Sequence, residues 1–311
     1  MNKIAVIQHA PQVLDREATL DKAVAFIAEA AANGAQLIVF PEAFVPGYPA
    51  WVWRLRPGND WDLSEQIHQR LVDNAVDLAR DNLAKIRSAA AEVGVTIVMG
   101  INERDGTLGR TTLYNSAVII GTDGKILNHH RKLMPTNPER MVWGFGDASG
   151  LRVIDTPVGR IGILLCWENY MPLARFALYA QGIDILIAPT YDSGENWIGT
   201  MQHIAREGGC WVISAGVALR NRDLPEDFPE RDTLYPADDD WINPGDSAVT
   251  APGGEIVAGP LHEQQDILYA EIDLNQVAIS RRSFDVAGHY ARPDIFTLHV
   301  ATKPQTPVAF D

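Results

Sequence analysis

Cysteine is scarce in this chain of 311 residues, with Cys166 and Cys210 the only two. That number excludes a disulfide framework and a cysteine-rich zinc site, and leaves a free thiol available for chemistry. Basic charge is also short. Lys and Arg number 26 against 40 Asp and Glu, for a formal net charge of -14. A nucleic-acid partner is therefore not expected, because binding a polyanion relies on clustered cations. No apolar run reaches roughly 18 residues, the length of a membrane span, and Met1 to Pro11 reads as a short strand and not as a signal peptide. The expectation is a soluble cytoplasmic protein with no membrane partner. Neither G-x-x-x-x-G-K-[ST] nor G-x-G-x-x-G occurs, so no phosphate loop is indicated. A Ser-His-Asp hydrolase is unsupported, since G-x-S-x-G is missing too. The 8 histidines include no H-x-x-x-H or H-E-x-x-H spacing. His129 and His130, adjacent in a strand, would point to opposite faces, so no metal site is expected.

What the chain does have is apolar side chain, 46% of residues, against 21% charged, enough to bury a sizeable core. The first half alternates helix and strand. Leu20, Val24, Ile27 and Ala31 follow helical spacing before the stop Asn33-Gly34, and Leu37 to Phe40 reads as a buried strand. Val76, Leu83, Ile86, Ala90 and Val93 predict a second helix ended by Gly94, followed by a strand over Val95 to Met99. From Ser116 the period becomes that of a hairpin turning at Asp123-Gly124 and leading to Arg131-Lys132. Next come a strand over Ile161 to Leu165, a helix around Pro172 to Ala180 closed by Gly182, and a strand over Ile185 to Ala188. A helix over Trp197 to Glu207 and a strand over Trp211 to Ser214 follow. Arg220 to Asp246 is rich in Asp, Glu and Pro and reads as a long surface excursion. With no linker or repeat in view, the reading is one α/β domain whose helices cover sheets on their outer faces.

Three reactive side chains lie just past predicted strands, where chains leave a sheet and side chains converge at its edge. Glu42 follows Leu37 to Pro41, Lys132 follows the hairpin, and Cys166 ends the strand Ile161 to Leu165. On a strand-to-helix elbow Cys166 suits a nucleophile, its thiol pKa lowered by helix N–H groups and a nearby cation. Its plain alternative is a buried inert thiol, which is the reading preferred for Cys210. Glu42 suits proton transfer, and otherwise a capping or solvated carboxylate. Lys132 suits stabilisation of developing negative charge, and otherwise a surface lysine in the basic run His129 to Lys132. Glu139 either orients Lys132 or pairs at the surface with Arg140.

Together, Phe40-Pro41-Glu42, Arg131 to Thr136 and Leu165-Cys166-Trp167-Glu168-Asn169 resemble the three motifs of the nitrilase superfamily in their usual order. The resemblance runs from Ile4-Ala5-Val6 to Phe284 through Asp294. It implies a four-layer αββα sandwich of the nitrilase type, a single domain over 1–311 with a C-terminal extension from about 283. It also implies a Glu-Lys-Cys triad at Glu42, Lys132 and Cys166, with Glu139 as a second glutamate. Within the superfamily, Cys166-Trp167-Glu168 and the ending Gly288 to Asp294 look like the nitrilase branch. Asn137-Pro138 before Glu139, and Phe145 between Gly144 and Gly146, depart from the usual wording and touch the expected pocket rim.

The implied activity is hydrolysis of an organic nitrile to the carboxylic acid and ammonia through covalent thioimidate and thioester intermediates, without a cofactor. An amidase or a cyanide hydratase can use the same triad, and remain as alternatives. A noncatalytic assembly protein would be marked by loss of the triad, and all three residues are present. Tyr48, Trp51 and Trp53, with Trp167, Tyr170 and Trp197, are candidates to wall a substrate pocket, although core packing accounts for any one of them. The resemblance further implies a homo-oligomer, a dimer or a larger spiral, pairing through helices near the nucleophile.

Overall fold

The computed structural model describes residues 1–106, 109–304 and 308. The remaining positions of the expected domain, 107–108, 305–307 and 309–311, lie outside the described residues. The strands in chain order are β1 (Asn2–Gln8), β2 (Leu37–Val39), β3 (Thr96–Arg104), β4 (Leu113–Ile120), β5 (Ile126–Arg131), β6 (Ile154–Thr156) and β7 (Gly159–Ile163). They continue with β8 (Ile185–Thr190), β9 (Trp211–Gly216), β10 (Ala218–Arg220), β11 (Trp241–Thr250), β12 (Ile256–His262) and β13 (Asp266–Ile272). One six-stranded sheet has the order β13-β1-β2-β3-β4-β5. A seven-stranded sheet has the order β10-β11-β9-β8-β7-β6, with β12 paired to β11.

The layers follow from alternation along these strands. In the first sheet Ile4, Val6, Leu37, Val39, Val98, Ala117 and Ile119 point one way and meet Ile161, Ile163, Ile185, Ile187, Trp211 and Ile213 of the second sheet. Their alternating neighbours, Ala5, Ile7, Ile38, Phe40, Ile97, Met99 and Val118, pack under helices α1 (Arg16–Ala32) and α3 (Ala84–Val93), which flank α2 (Trp61–Asn74) in the chain. On the far side Leu164, Leu186, Ala188 and Val212 pack under α4 (Pro172–Tyr179) and α5 (Glu195–Gly208). The result is the four-layer αββα sandwich. Central strands buried on both faces explain why their sequences are continuous apolar runs. Short α6 (Arg231–Leu234) and α7 (Asn275–Ser283) complete the set, and residues beyond α7 run back over α4.

Two sequence expectations need correction. Val76 does not open the second helix: it bridges Glu103 of β3, and α3 begins at Ala84. Ahead of it lies α2, which the sequence reading left out. The excursion from Arg220 also ends sooner, because Trp241 to Asp246 belong to β11. Asn243-Pro244-Gly245 reads as turn chemistry, yet here Pro and Gly sit where β11 shifts register against its neighbours, the place a strand tolerates them.

Candidate active site

The two sheets deliver the candidate functional residues to one end. Glu42 lies three residues past β2, Lys132 immediately past β5, Cys166 past β7, and Tyr191-Asp192 directly past β8. Close backbone approach makes this convergence fit. A Cβ on Gly100 would lie 2.1 Å from the Pro41 carbonyl, and one on Gly146 would lie 2.3 Å from that of Arg131, so glycine is required beside both the Glu42 and the Lys132 turns.

Lys132 is buried, 1% exposed, which overturns its reading as a surface lysine. Its ammonium donates to Glu42 Oε1 and to Glu139 Oε2, both at 2.8 Å. Glu42 accepts further bonds from Asn115 Nδ2 at 2.6 Å and from the Tyr191 backbone N–H at 2.7 Å. Glu139 accepts from Tyr48 Oη and from the Thr136 N–H, both at 2.7 Å. It is buried and does not make the surface pair with Arg140 that the sequence allowed, since Arg140 Nε donates instead to the Pro135 carbonyl. Two carboxylates therefore share one cation. Burial raises the Glu42 pKa above its ordinary value; Lys132 pulls it down, while Glu139 adds to the rise. Burial opposes the charge on Lys132, but Glu42, Cys166 and Glu139 outweigh it and hold the ammonium well above the usual lysine range.

Cys166 sits at the start of a 3-10 turn, Cys166–Tyr170, with φ of 50°. Left-handed backbone at a non-glycine residue costs about 1–3 kcal/mol and persists only where the surroundings over-determine it. Here Asn169 Nδ2 donates to the Leu164 and Cys166 carbonyls, both at 2.9 Å, and Glu168 Oε2 accepts the Leu165 N–H at 2.6 Å. The thiol departs from expectation. Burial, reinforced by Glu42, pushes its pKa up to about 12 although Lys132 pulls the other way. That shift favours the protonated thiol.

Above this row opens a cavity of about 230 Å³ lined by Tyr48, Trp53, Thr136, Glu139, Cys166, Trp167, Tyr191 and Asp192. Tyr48 stacks on Tyr191 with ring centroids 3.7 Å apart, and Trp53 Nε1 donates to Tyr48 Oη at 3.0 Å. Trp167 Nε1 donates to Asp192 Oδ2 at 2.8 Å. Of the expected pocket aromatics, Tyr48, Trp53 and Trp167 line the cavity. Tyr170 stands behind Trp167 at 5.7 Å between ring centroids. Trp197 must be withdrawn: it is fully buried in the core beneath α5, with Nε1 donating to Ser214 Oγ at 2.7 Å. Trp51 is likewise core, against Phe228. Sequence reasoning passed over Asn115, Tyr191 and Asp192. The last two follow a strand just as Glu42 and Cys166 do, so the same rule would have found them.

A thiol at a strained elbow, beside a buried Glu-Lys-Glu row and under an aromatic cavity, makes up a candidate active site built across two sheets. The family described as "Carbon-nitrogen hydrolase" matches residues 3–282, and the chain belongs to it. Within that family it falls with the nitrilases. It is 41% identical to the "Bifunctional nitrilase/nitrile hydratase NIT4A" of Lupinus angustifolius, over 99% of this chain and 88% of that one. It is also 41% identical to the "Aliphatic nitrilase" of Sinorhizobium fredii (strain HH103), over 98% and 97% of the two. The fold agrees with the crystal structure of a carbon-nitrogen hydrolase from Helicobacter pylori G27, with a TM-score of 0.70 at 23% identity over 94% of this chain and 96% of that one.

Proposed function

We propose that the protein hydrolyses organic nitriles to the carboxylic acid and ammonia, with Cys166 as nucleophile, Glu42 as the proton-transferring group and Lys132 as the stabilising cation. One observation carries this reading: Cys166 lines the same cavity as Glu139, whose carboxylate joins Glu42 through the Lys132 ammonium. The thiol proton passes to Glu42 as sulfur attacks the nitrile carbon, and protonation of the nitrile nitrogen gives the thioimidate. Water adds to that carbon, Lys132 and a backbone N–H near Trp167 stabilise the tetrahedral intermediate, and the protonated nitrogen leaves as ammonia. A second water hydrolyses the thioester, which releases the acid and restores the thiol. Burial raises the pKa of both the Cys166 thiol and Glu42, and a raised Glu42 is a better acceptor for the thiol proton than an ordinary glutamate.

The test is product analysis. Wild type and Cys166→Ala are incubated with aliphatic, aromatic and arylaliphatic nitriles and the matching amides, and acid, amide and ammonia are quantified separately. Acid and ammonia from nitriles, lost in Cys166→Ala, are expected. Turnover of amides alone would replace the reading with an amidase, and amide accumulating as the main product would replace it with a hydratase.

Self-association belongs to the same proposal. Along α4 and the segment beyond α7 runs a groove of about 1070 Å³ that leaves Leu173 and Phe296 largely exposed, an apolar face suited to a second copy of the chain. Sedimentation showing only monomer in an active preparation would overturn it. Residence in the cytoplasm completes the reading and fits two cysteines that are both free.

A further inference from the structure

One buried carboxylate near the thiol has no part in the chemistry above. Glu168 is 1% exposed and stands two residues after Cys166. Its Oε2 accepts the Leu165 N–H at 2.6 Å, and its Oε1 accepts the Leu133 N–H at 2.7 Å. Both oxygens also face His130 Nε2, at 3.0 and 3.1 Å. The two N–H groups have significant addresses. Leu165 immediately precedes the nucleophile, on the chain leaving the second sheet, and Leu133 immediately follows Lys132, on the chain leaving the first. We infer that Glu168 is a positioning residue that fixes the Cys166 elbow against the Lys132 turn by holding one backbone N–H from each; the inference rests on the function proposed above.

The residue type fits that task. An ionised carboxylate is an acceptor on both oxygens, so it can hold two N–H groups at once and still face His130. A glutamine of the same length keeps one accepting oxygen and turns an NH2 toward the other N–H, donor against donor. An aspartate keeps both acceptors but is one methylene shorter, too short to span both turns. Asn169 braces the same elbow through the Leu164 and Cys166 carbonyls, which lie within the elbow itself. Glu168 is what joins it to the opposite sheet. What the joint protects is electrostatic registry, since Lys132 favours the charged form of Cys166 and an increase in their separation weakens that help.

The test compares wild type, Glu168→Gln and Glu168→Asp in three measurements. These are kcat and KM on the best nitrile, the rate at which iodoacetamide alkylates Cys166 in mildly alkaline buffer, and Tm. Both variants are expected to melt lower, to alkylate about tenfold more slowly and to lose about 100-fold in kcat with KM changed less than about threefold, the scale of a misplaced reacting group. A lower Tm with alkylation and kcat of the folded protein within about twofold of wild type would reduce Glu168 to a merely structural residue and overturn the inference. Activity kept by Glu168→Asp and lost by Glu168→Gln would also overturn it, because charge and not reach would then be the need. If neither variant folds, His130→Asn decides. It withdraws the ring while leaving both N–H groups held, so alkylation should change less than about threefold, and a tenfold loss would move the role to His130. Alkylation requires no nitrile, so a wild type inactive on every nitrile would defeat the proposed function while this arm still reads the clamp.

Discussion

Strand β5 carries two acid–base clusters on its two faces, and they behave in opposite ways. His129 and Arg131 point outward to Glu103, while His130 and the following Lys132 point between the sheets to Glu168 and to Glu42 with Glu139. Glu103 takes bonds from Ser116 Oγ at 2.6 Å, Arg131 Nε at 2.9 Å and pairs with His129 at 2.7 Å. Burial would raise its pKa, but His129 and Arg131 outweigh that and hold it at about 2. Glu42 is more deeply buried and rises: desolvation outweighs the pull of its one cation, Lys132, which it shares with Glu139. Depth of burial and the cations at hand thus separate this ion cluster from the candidate site, whose proposed role is proton exchange.

The largest effect that sharpens this contrast is expected from Lys132→Gln. It leaves the transition state without its cation and should cost at least about 100-fold in kcat/KM. Glu103→Gln is expected to do the reverse, with turnover of the folded protein within about threefold of wild type and unfolding about 3 kcal/mol easier, as for a broken buried pair. Comparable activity losses in the two variants would erase the distinction. A pH consequence follows for Glu103. Its folded pKa lies below the unfolded value, so its contribution is fully present above the unfolded carboxylate range and is lost as pH falls toward about 2. Denaturation followed from neutral to acid pH should show that loss in wild type and a flatter dependence in Glu103→Gln. The smallest effects separate cavity from core. Trp53→Ala should reorder kcat/KM across a nitrile panel. Trp197→Phe should leave the order unchanged and cost about 1 kcal/mol for the lost bond to Ser214.

The same contrast explains what the sequence could disclose. Glu42, Lys132 and Cys166 could be singled out because each follows a predicted strand, and strand ends are where functional side chains gather. The α/β alternation was legible in runs such as Ile185 to Ala188 and in the Asp123-Gly124 hairpin, and the four-layer sandwich was implied by the family resemblance alone. Hidden were the features that depend on distant partners. Glu168 holding Leu133, and Asn115 holding Glu42, link positions far apart in the chain. Helix α2 was missed because its few buried positions, Ile67, Leu71 and Val72, are diluted by polar neighbours. Trp197 was misplaced because an aromatic side chain suits a core as well as a pocket, and only burial tells them apart. The thiol pKa was misjudged for a related reason: the elbow and the cation are visible in sequence order, and the extent of desolvation is not.

The shared cation is the centre of this account, and the acid limb of kcat/KM against pH, in wild type and in Glu139→Gln, tests it most directly. Burial and Glu139 both raise Glu42, so the wild-type limb should lie above the ordinary glutamate range, about 4.3, and should move to lower pH once Glu139 is neutral and Lys132 serves Glu42 alone. A limb that stays in place, or moves to higher pH, would contradict it.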